Sequence, residues 1–414
     1  MITMAETRAP KTPAVQSRQT AYPFWIVAFS FLIVMAFATL PSPLYGLYRL
    51  RDGLSAFTIT VVYAIFAAGV IAALLAVPAI ALRIGRRGVM LGAVATMIGA
   101  AAMLAAWKAL PGLLLGRLIT GVAAGLVSGT AITYLIELHL RREPESSPIR
   151  ARNIGTAISV GALGIGPLVA GCLAAWVRDP LTVPYLLWIA LGAVALVALA
   201  TVPETGLAAA PAASGSRSGP RARIPARAGT ATMAAFSANG LFAGLAGLFL
   251  AVTFHHPSHA LAGATLFVVF SAGVASQLVT TRLRSTTVLA LGSVSMLAGL
   301  VLLAASVRLT SPSLALFLIG GALIGAGAGA VFKGTTGIVL AAAAPEDRLA
   351  MTSQLLIALM VGLSLPVIGA GVALDQGASA PDTVLAFAIL VGLGVAGAGW
   401  GLLARKPKSS PQLA

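Results

Sequence analysis

Two basic residues, Arg117 and Lys333, lie inside long apolar runs of the sequence. Ionisable side chains at membrane depth are costly and therefore usually functional. A cation in such a place can bind an anionic group, and a lysine with a lowered pKa can also take up and release a proton. All eleven acidic residues fall in tails, in loops or at the ends of apolar runs. The sequence therefore argues against a cation-selective mechanism that depends on a buried carboxylate.

The two cations differ in how they can reach water. Arg117 lies about 9 Å from the nearer end of its predicted helix, and its side chain leans toward that end, so it can snorkel to the surface. The side chain of Lys333 leans toward the bilayer centre, which favours a central cavity. The alternative is a position in the cytoplasmic extension of a long helix.

Two neutral polar residues complete the predicted substrate or proton pathway of Arg117, Lys333, Asn239 and Tyr45. Asn239 lies about ten residues into an apolar run, where an interhelical hydrogen bond is the alternative role. Tyr45 follows the segment Pro41-Ser-Pro43 and is either a gating residue or an interfacial aromatic. We expect no catalytic residue, no metal site and no cofactor.

The composition predicts an all-α membrane protein. Of the 414 residues, 58% are apolar and only 9% are charged, with a mean hydropathy of +0.97; soluble domains carry about 25% charged residues. The net charge of +16 is spread over alternate loops, which excludes a nucleic-acid-binding face. Cys172 is the sole cysteine, so an internal disulfide is impossible.

Apolar runs long enough to cross roughly 30 Å of hydrocarbon predict twelve transmembrane helices. They span about 24–47, 57–82, 89–107, 110–138, 154–177, 183–202, 230–254, 261–280, 288–307, 314–343, 350–374 and 384–403. Twelve crossings assign 20 Lys and Arg residues to one side and 5 to the other. Because basic loops stay inside, both termini are predicted to be cytoplasmic, in a bacterial inner or plasma membrane.

A polar segment rich in Ala, Gly, Pro, Ser and Arg divides the chain into two halves of six helices. The predicted parts are a cytoplasmic N-tail (1–23), an N-terminal bundle (24–205), a cytoplasmic linker (206–229), a C-terminal bundle (230–404) and a C-tail (405–414). The fourth spans of the two halves share a glycine pattern, which favours a duplicated repeat over a chance match of two Gly/Ala-rich segments.

The turn between the second and third spans contains Arg83, Gly85, Arg86 and Arg87. With two six-helix halves, it resembles the major facilitator superfamily, whose turn reads roughly Gly-x-Leu-x-Asp-Arg-x-Gly-Arg-Arg. Leu82 stands where that pattern has its acid. The resemblance implies a cytoplasmic gating turn.

The fourth span carries two further elements of the resemblance. Arg117 and Gly121 match the family's Arg-x-x-x-Gly pattern in the fourth helix. Glu137 matches the usual acid at the cytoplasmic end of that helix and is expected to pair with Arg83 or to remain a solvated charge.

The fifth span contains Gly164, Gly166, Pro167 and Gly171. Small residues at this spacing allow close backbone approach, and a proline permits a kink. The segment resembles Gly-x-x-x-Gly-Pro-x-x-Gly-Gly, the pattern of the drug/proton antiporter branch of the same superfamily, with alanine at two glycine positions. An ordinary Gly/Ala-rich helix packing face is the alternative.

These features predict a secondary active transporter of a small organic solute, with proton-coupled efflux by alternating access. Uptake or export of an anionic metabolite is the alternative, and a polytopic membrane enzyme or assembly factor is less favoured. The expected partners are the small-molecule substrate, protons and the lipid bilayer, with no nucleic acid, and the protein is expected to be a monomer.

Overall fold

A computed structural model describes residues 22–205 and 223–403, and every regular element in these ranges is helical. In chain order the helices are α1 (Tyr22–Thr39), α2 (Tyr45–Asp52), α3 (Ala56–Ala106), α4 (Leu110–Ser128), α5 (Ala131–Arg142), α6 (Ile149–Trp176), α7 (Val183–Leu199), α8 (Ala226–Val252), α9 (His259–Val279), α10 (Ser285–Arg308), α11 (Leu314–Ala342), α12 (Arg348–Asp375) and α13 (Ala380–Leu403). Short 3₁₀ turns at Ser42–Leu44, Thr280–Arg282 and Pro345–Asp347 join some of them.

The helices of the described ranges make twelve crossings. Ten helical stretches are long and apolar enough to span a membrane, and α7 adds a shorter apolar helix of 17 residues. The 51-residue α3 supplies two crossings, because Gly85 interrupts it with φ 72° and ψ 177°. The prediction of an all-α membrane protein with twelve crossings is confirmed, and the chain is an integral multi-pass membrane protein.

Local sequence explains where two crossings break. Proline lacks the backbone N–H needed for a continuing helix, and the first crossing changes at Pro41 from α1 to a 3₁₀ turn and then α2. The fourth crossing breaks at Gly129 and Thr130, between α4 and α5.

The two halves pack mainly through four helices. α6 of the first half lies against α9 of the second, and α12 lies against the first part of α3. Between the halves, α7 ends at Leu199 and α8 begins at Ala226, so the last four residues of the predicted linker are helical. Residues 1–21, 206–222 and 404–414, which hold most of the predicted tails and linker, lie outside the described ranges.

The bundle has two ends, which we name by their loops. The basic face contains the Gly85 turn, the α5–α6 connection and residues 203–205. The distal face contains the loops before α3 and α9 and after α12. Large apolar side chains remain exposed around the bundle, including Leu75 (68%) and Val197 (73%), as expected where lipid replaces water.

Candidate functional site

The turn at Gly85 is closed by the carboxylate of Glu204, which follows α7. Its oxygens accept hydrogen bonds from the backbone N–H groups of Arg86 at 2.9 Å and Arg87 at 3.0 Å. A Cβ built on Gly85 would overlap the Glu204 carboxylate and displace it, and the positive φ of 72° also favours glycine. Leu82, which stands at the position of the acid in the resembling pattern, is 70% exposed.

Glu137 joins the same network through a partner that differs from the expected one. Its carboxylate pairs with Arg86 Nε at 2.7 Å and accepts a hydrogen bond from Thr205 Oγ1 at 2.6 Å. The expected pairing with Arg83 is wrong, because Arg83 is exposed and the Gly85 bend directs Arg86 toward α5 instead. The Arg87 guanidinium donates to the Ala200 carbonyl. These contacts join residues of the first half only, so they hold the turn against its own bundle.

Arg117 is fully buried in the first half and does not snorkel. Its Nη1 donates to the Ala38 carbonyl at 2.6 Å, and its guanidinium lies 4.7 Å from the ring centroid of Phe66. Such a cation–π contact contributes roughly 0.5–2 kcal/mol. Arg117 Nε and Nη2 have no hydrogen-bond partner within the described ranges. The side chain therefore keeps two buried donors.

Two buried hydroxyl groups lie in the first crossing, a few residues after the Ala38 carbonyl to which Arg117 donates. The hydroxyl of Tyr45 is buried, like that of Ser42, and neither has a partner among the residues that the structure describes. Both residues line a vestibule of about 800 Å³ that lies between the halves near the distal face. Tyr45 therefore lies at the vestibule, whereas Arg117 is not among its lining residues.

The glycines of the fifth crossing contact two different neighbours. A Cβ on Gly166 would overlap the Ala36 carbonyl of α1, within the same half. A Cβ on Gly171 would overlap the His259 carbonyl of α9, and one on Gly164 would lie 3.0 Å from the Phe267 Cα. Close backbone contact of the kind predicted therefore exists, both inside the first half and between the halves.

The contact surface between α6 and α9, which we call the seam, becomes less tightly packed toward the basic face. Beyond Gly164, a Cβ on Gly161 would lie 3.5 Å from Val274, and one on Gly273 would lie 3.8 Å from Val160. These are ordinary van der Waals separations between side chains and no longer backbone contacts. The halves are therefore closest near the distal face.

Two polar ties join the halves at the distal face. The Asp375 carboxylate, at the end of α12, accepts hydrogen bonds from the backbone N–H groups of Ala56 at 3.0 Å and Phe57 at 3.2 Å. It thereby caps the N-terminus of α3, where a negative charge is favoured. His259 Nδ1 lies 3.3 Å from the Pro43 carbonyl oxygen. Sequence reasoning did not identify either residue as functional.

A cleft of about 650 Å³ lies where the seam has opened, on the side of the basic face. Its walls come from one face each of α1, α6 and α9, and they include Trp25, Ile158 and Phe267. Ser271 is its single polar side chain. The cleft can accommodate an apolar body and offers no charge to a cationic one.

Lys333 and Asn239 lie apart from this cleft. Lys333 Nζ donates to the Gln277 carbonyl and lies 3.3 Å from Thr280 Oγ1 and 3.4 Å from Thr281 Oγ1, at the C-terminal end of α9. Helix C-termini carry partial negative charge and attract cations, which explains how an ammonium is accommodated there. Asn239 is buried in α8, and its Oδ1 has no partner within the described ranges.

The sequence offers only weak signals for the residues that were missed. Glu204 directly follows Pro203 at the end of a crossing, and Asp375 ends another crossing. Acidic residues at helix ends are common caps, so neither position is distinctive alone. Their roles depend on contacts across about 118 and 319 residues of sequence.

A family model described as "Sugar (and other) transporter" matches residues 9–139. A search of curated proteins found no significant sequence match. Two solved structures of the nucleoside transporter NupG are similar in fold. One has a TM-score of 0.70 and 14% identity over 94% of this chain and 100% of that one. A point mutant of the same transporter has a TM-score of 0.71 and 12% identity, over 92% and 99%.

These similarities show that the chain has the major facilitator fold. The two solved structures share this fold over nearly their whole length and nearly the whole of this chain. The family model is confined to the N-terminal part of the chain, and the structural matches are too distant in sequence to carry a substrate.

Proposed function

We propose that the protein is a secondary active transporter of a small organic solute and that its two halves alternate access to the two sides of the membrane. The observation that carries this proposal is the asymmetry of the seam. Backbone contacts and polar ties join the halves near the distal face, and an apolar cleft opens between them near the basic face.

The basic face is the cytoplasmic one in this proposal. Lys and Arg residues in short loops are retained on the cytoplasmic side, and the predicted tails and linker belong to that side. The N-terminal bundle (24–205) and the C-terminal bundle (230–404) are the two moving bodies. The polar network around Glu204 would keep the turn and the first half together as one body during the change.

Proton-coupled efflux is the direction that the sequence and the cleft support best. The Gly166-Pro167 segment resembles the antiporter pattern, and an apolar cleft that opens to the cytoplasm is suited to collecting apolar solutes there. We place Arg117, Tyr45 and Asn239 on the substrate or proton pathway. Lys333 belongs instead to a contact between α11 and α9.

Transport can be tested in proteoliposomes that contain the pH-sensitive dye pyranine. A panel of uncharged and anionic amphiphiles is added on the outside, and proton movement is followed by the dye. A solute carried by antiport should produce a proton flux that depends on the protein and disappears with the Gly166→Leu variant. If no panel member moves protons or solute above the level of protein-free vesicles, proton-coupled efflux is rejected.

Transport of an anionic metabolite remains the second candidate, now because of Arg117 rather than Lys333. Two buried donors of its guanidinium lack a partner in the described part of the chain, and a carboxylate could accept hydrogen bonds from both. The Arg117→Met variant separates the two candidates, since an apolar residue of similar length preserves packing. If an anionic solute uses Arg117, its transport should be lost while that of an uncharged solute persists. Equal loss of both would reject this candidate.

A further inference from the structure

A small polar pocket of about 80 Å³ lies at the basic face, between the start of α1, the end of α5 and the start of α6. Its charged lining residues are Arg142, Glu143 and Arg150, and His139 also contributes. Arg142 Nε is 3.8 Å from the Glu143 carboxylate, a loose pair. None of the ion pairs within the described ranges includes Arg150, which is exposed. The pocket therefore presents one uncompensated guanidinium.

This pocket meets the apolar cleft at two shared residues. Trp25 and Ile154 line both spaces, so the pocket with the charged residues adjoins one end of the apolar cleft. The Trp25 side chain is 54% exposed and packs edge-on against Phe24, with ring centroids 5.3 Å apart. An exposed tryptophan between polar and apolar surroundings is typical of the membrane interface.

We propose that the cleft transports amphiphiles with an anionic head group and a single apolar chain, and that Arg142 and Arg150 hold the head group at entry. This inference rests on the proposed function of the cleft and specifies its substrate class. A carboxylate pairs with a guanidinium through two parallel hydrogen bonds, and the apolar chain finds walls that are almost wholly hydrocarbon. Neither space alone would select such a molecule. Together they match its two ends.

The charge balance of the pocket supports an anionic head over a cationic one. Glu143 is the one carboxylate in its lining, and Arg142 already faces it. Arg150 then remains for the ligand. A cationic amphiphile would meet this guanidinium and an apolar cleft without a carboxylate, so it should bind weakly.

Binding can be measured directly through Trp25, because bromine atoms quench tryptophan fluorescence at contact. The purified full-length protein is titrated with brominated dodecanoic acid, with brominated dodecanol and with a brominated dodecyl trimethylammonium salt. Quenching by the acid should saturate at the lowest concentration. Most of it should vanish in the Trp25→Phe variant, although four other tryptophans remain.

Two arginines on the same helix provide a matched pair of variants. Arg150 lines the pocket, whereas Arg152 is exposed and lines neither space. Arg150→Gln should weaken binding of the acid roughly tenfold and leave the alcohol unchanged, as for the loss of one hydrogen bond to a charged group. Arg152→Gln should bind both ligands like the unmodified protein.

Three results would overturn the inference. The first is equal affinity of the protein for the acid and the alcohol. The second is that Arg150→Gln and Arg152→Gln weaken binding of the acid equally. The third is that the acid still quenches fluorescence in the Trp25→Phe variant. The outcome is separate from that of the proposed function. Saturable binding without solute flux in proteoliposomes would reject transport and leave the site, whereas flux of other solutes without Trp25 quenching would reject the site and leave the transporter.

Discussion

Removal of the Glu204 carboxylate should destabilise the turn at Gly85 and with it the first half. Two backbone N–H groups, those of Arg86 and Arg87, donate to this carboxylate at 2.9 and 3.0 Å. Hydrogen bonds to charged groups contribute about 1.5–3 kcal/mol each. Both bonds share one partly exposed carboxylate, so we expect Glu204→Ala to lower the free energy of unfolding by about 2–3 kcal/mol in total. Glu204→Gln keeps one acceptor oxygen and should lower the free energy of unfolding by about 1 kcal/mol.

The assay is thermal unfolding of the detergent-purified protein, followed by intrinsic fluorescence at one fixed scan rate, since membrane proteins commonly unfold irreversibly. A loss of this size should lower the apparent Tm by several degrees. Glu143→Gln is the control, because Glu143 is exposed and its nearest cation is 3.8 Å away. If Glu204→Ala and Glu143→Gln unfold at the same temperature, the carboxylate does not hold the turn and the reasoning fails.

Three further substitutions test the seam, the cation of α11 and the distal tie. Gly166→Leu should insert normally but abolish transport, because even a Cβ there overlaps a backbone carbonyl, whereas Gly99→Leu, where a Cβ meets nothing within 4 Å, should retain transport. Lys333→Gln should leave the pH profile of transport unchanged, since its ammonium lies at a helix end; a shifted profile would return it to the proton pathway. Asp375→Asn should weaken the cap of α3 by about 1 kcal/mol and increase distal-side labelling of a vestibule cysteine about fivefold, and an unchanged labelling rate would exclude a gating role.

Much of the architecture was predictable because membrane helices must satisfy their backbone hydrogen bonds internally. That constraint turns each long apolar run into a crossing, and it identified all twelve crossings. The same constraint made the Gly85 turn predictable, because glycine and arginines interrupt the apolar runs there. The break after Thr39 was less visible, since Pro41 and Pro43 lie near the end of a run that reads as one helix.

The contacts of individual polar groups were less predictable, because they depend on which distant segments meet. Glu137 pairs with Arg86 and not with Arg83, since the bend at Gly85 decides which arginine faces α5. Arg117 appeared able to reach the surface, yet the neighbouring helix covers it and supplies the Ala38 carbonyl. Lys333 was expected to lean toward the bilayer centre, yet its ammonium lies at the C-terminal end of α9, a partner that could be found only from the packing of two helices.

The most direct test of alternating access combines a distal cross-link with labelling in the cleft. In a Cys172→Ser background, Phe57→Cys and Asp375→Cys are joined across the distal face by a short bifunctional thiol reagent that contains a reducible disulfide. In a separate uncross-linked variant, Ser271→Cys reports access to the cleft through a membrane-impermeant maleimide applied to each side of oriented vesicles.

The proposed function predicts labelling of Ser271→Cys from the cytoplasmic side and not from the outside. It also predicts that the distal cross-link stops transport and that cleavage of the disulfide by a reductant restores it. Labelling of Ser271→Cys from the outside alone, or full transport with the cross-link intact, would contradict the proposal that these halves alternate about this seam.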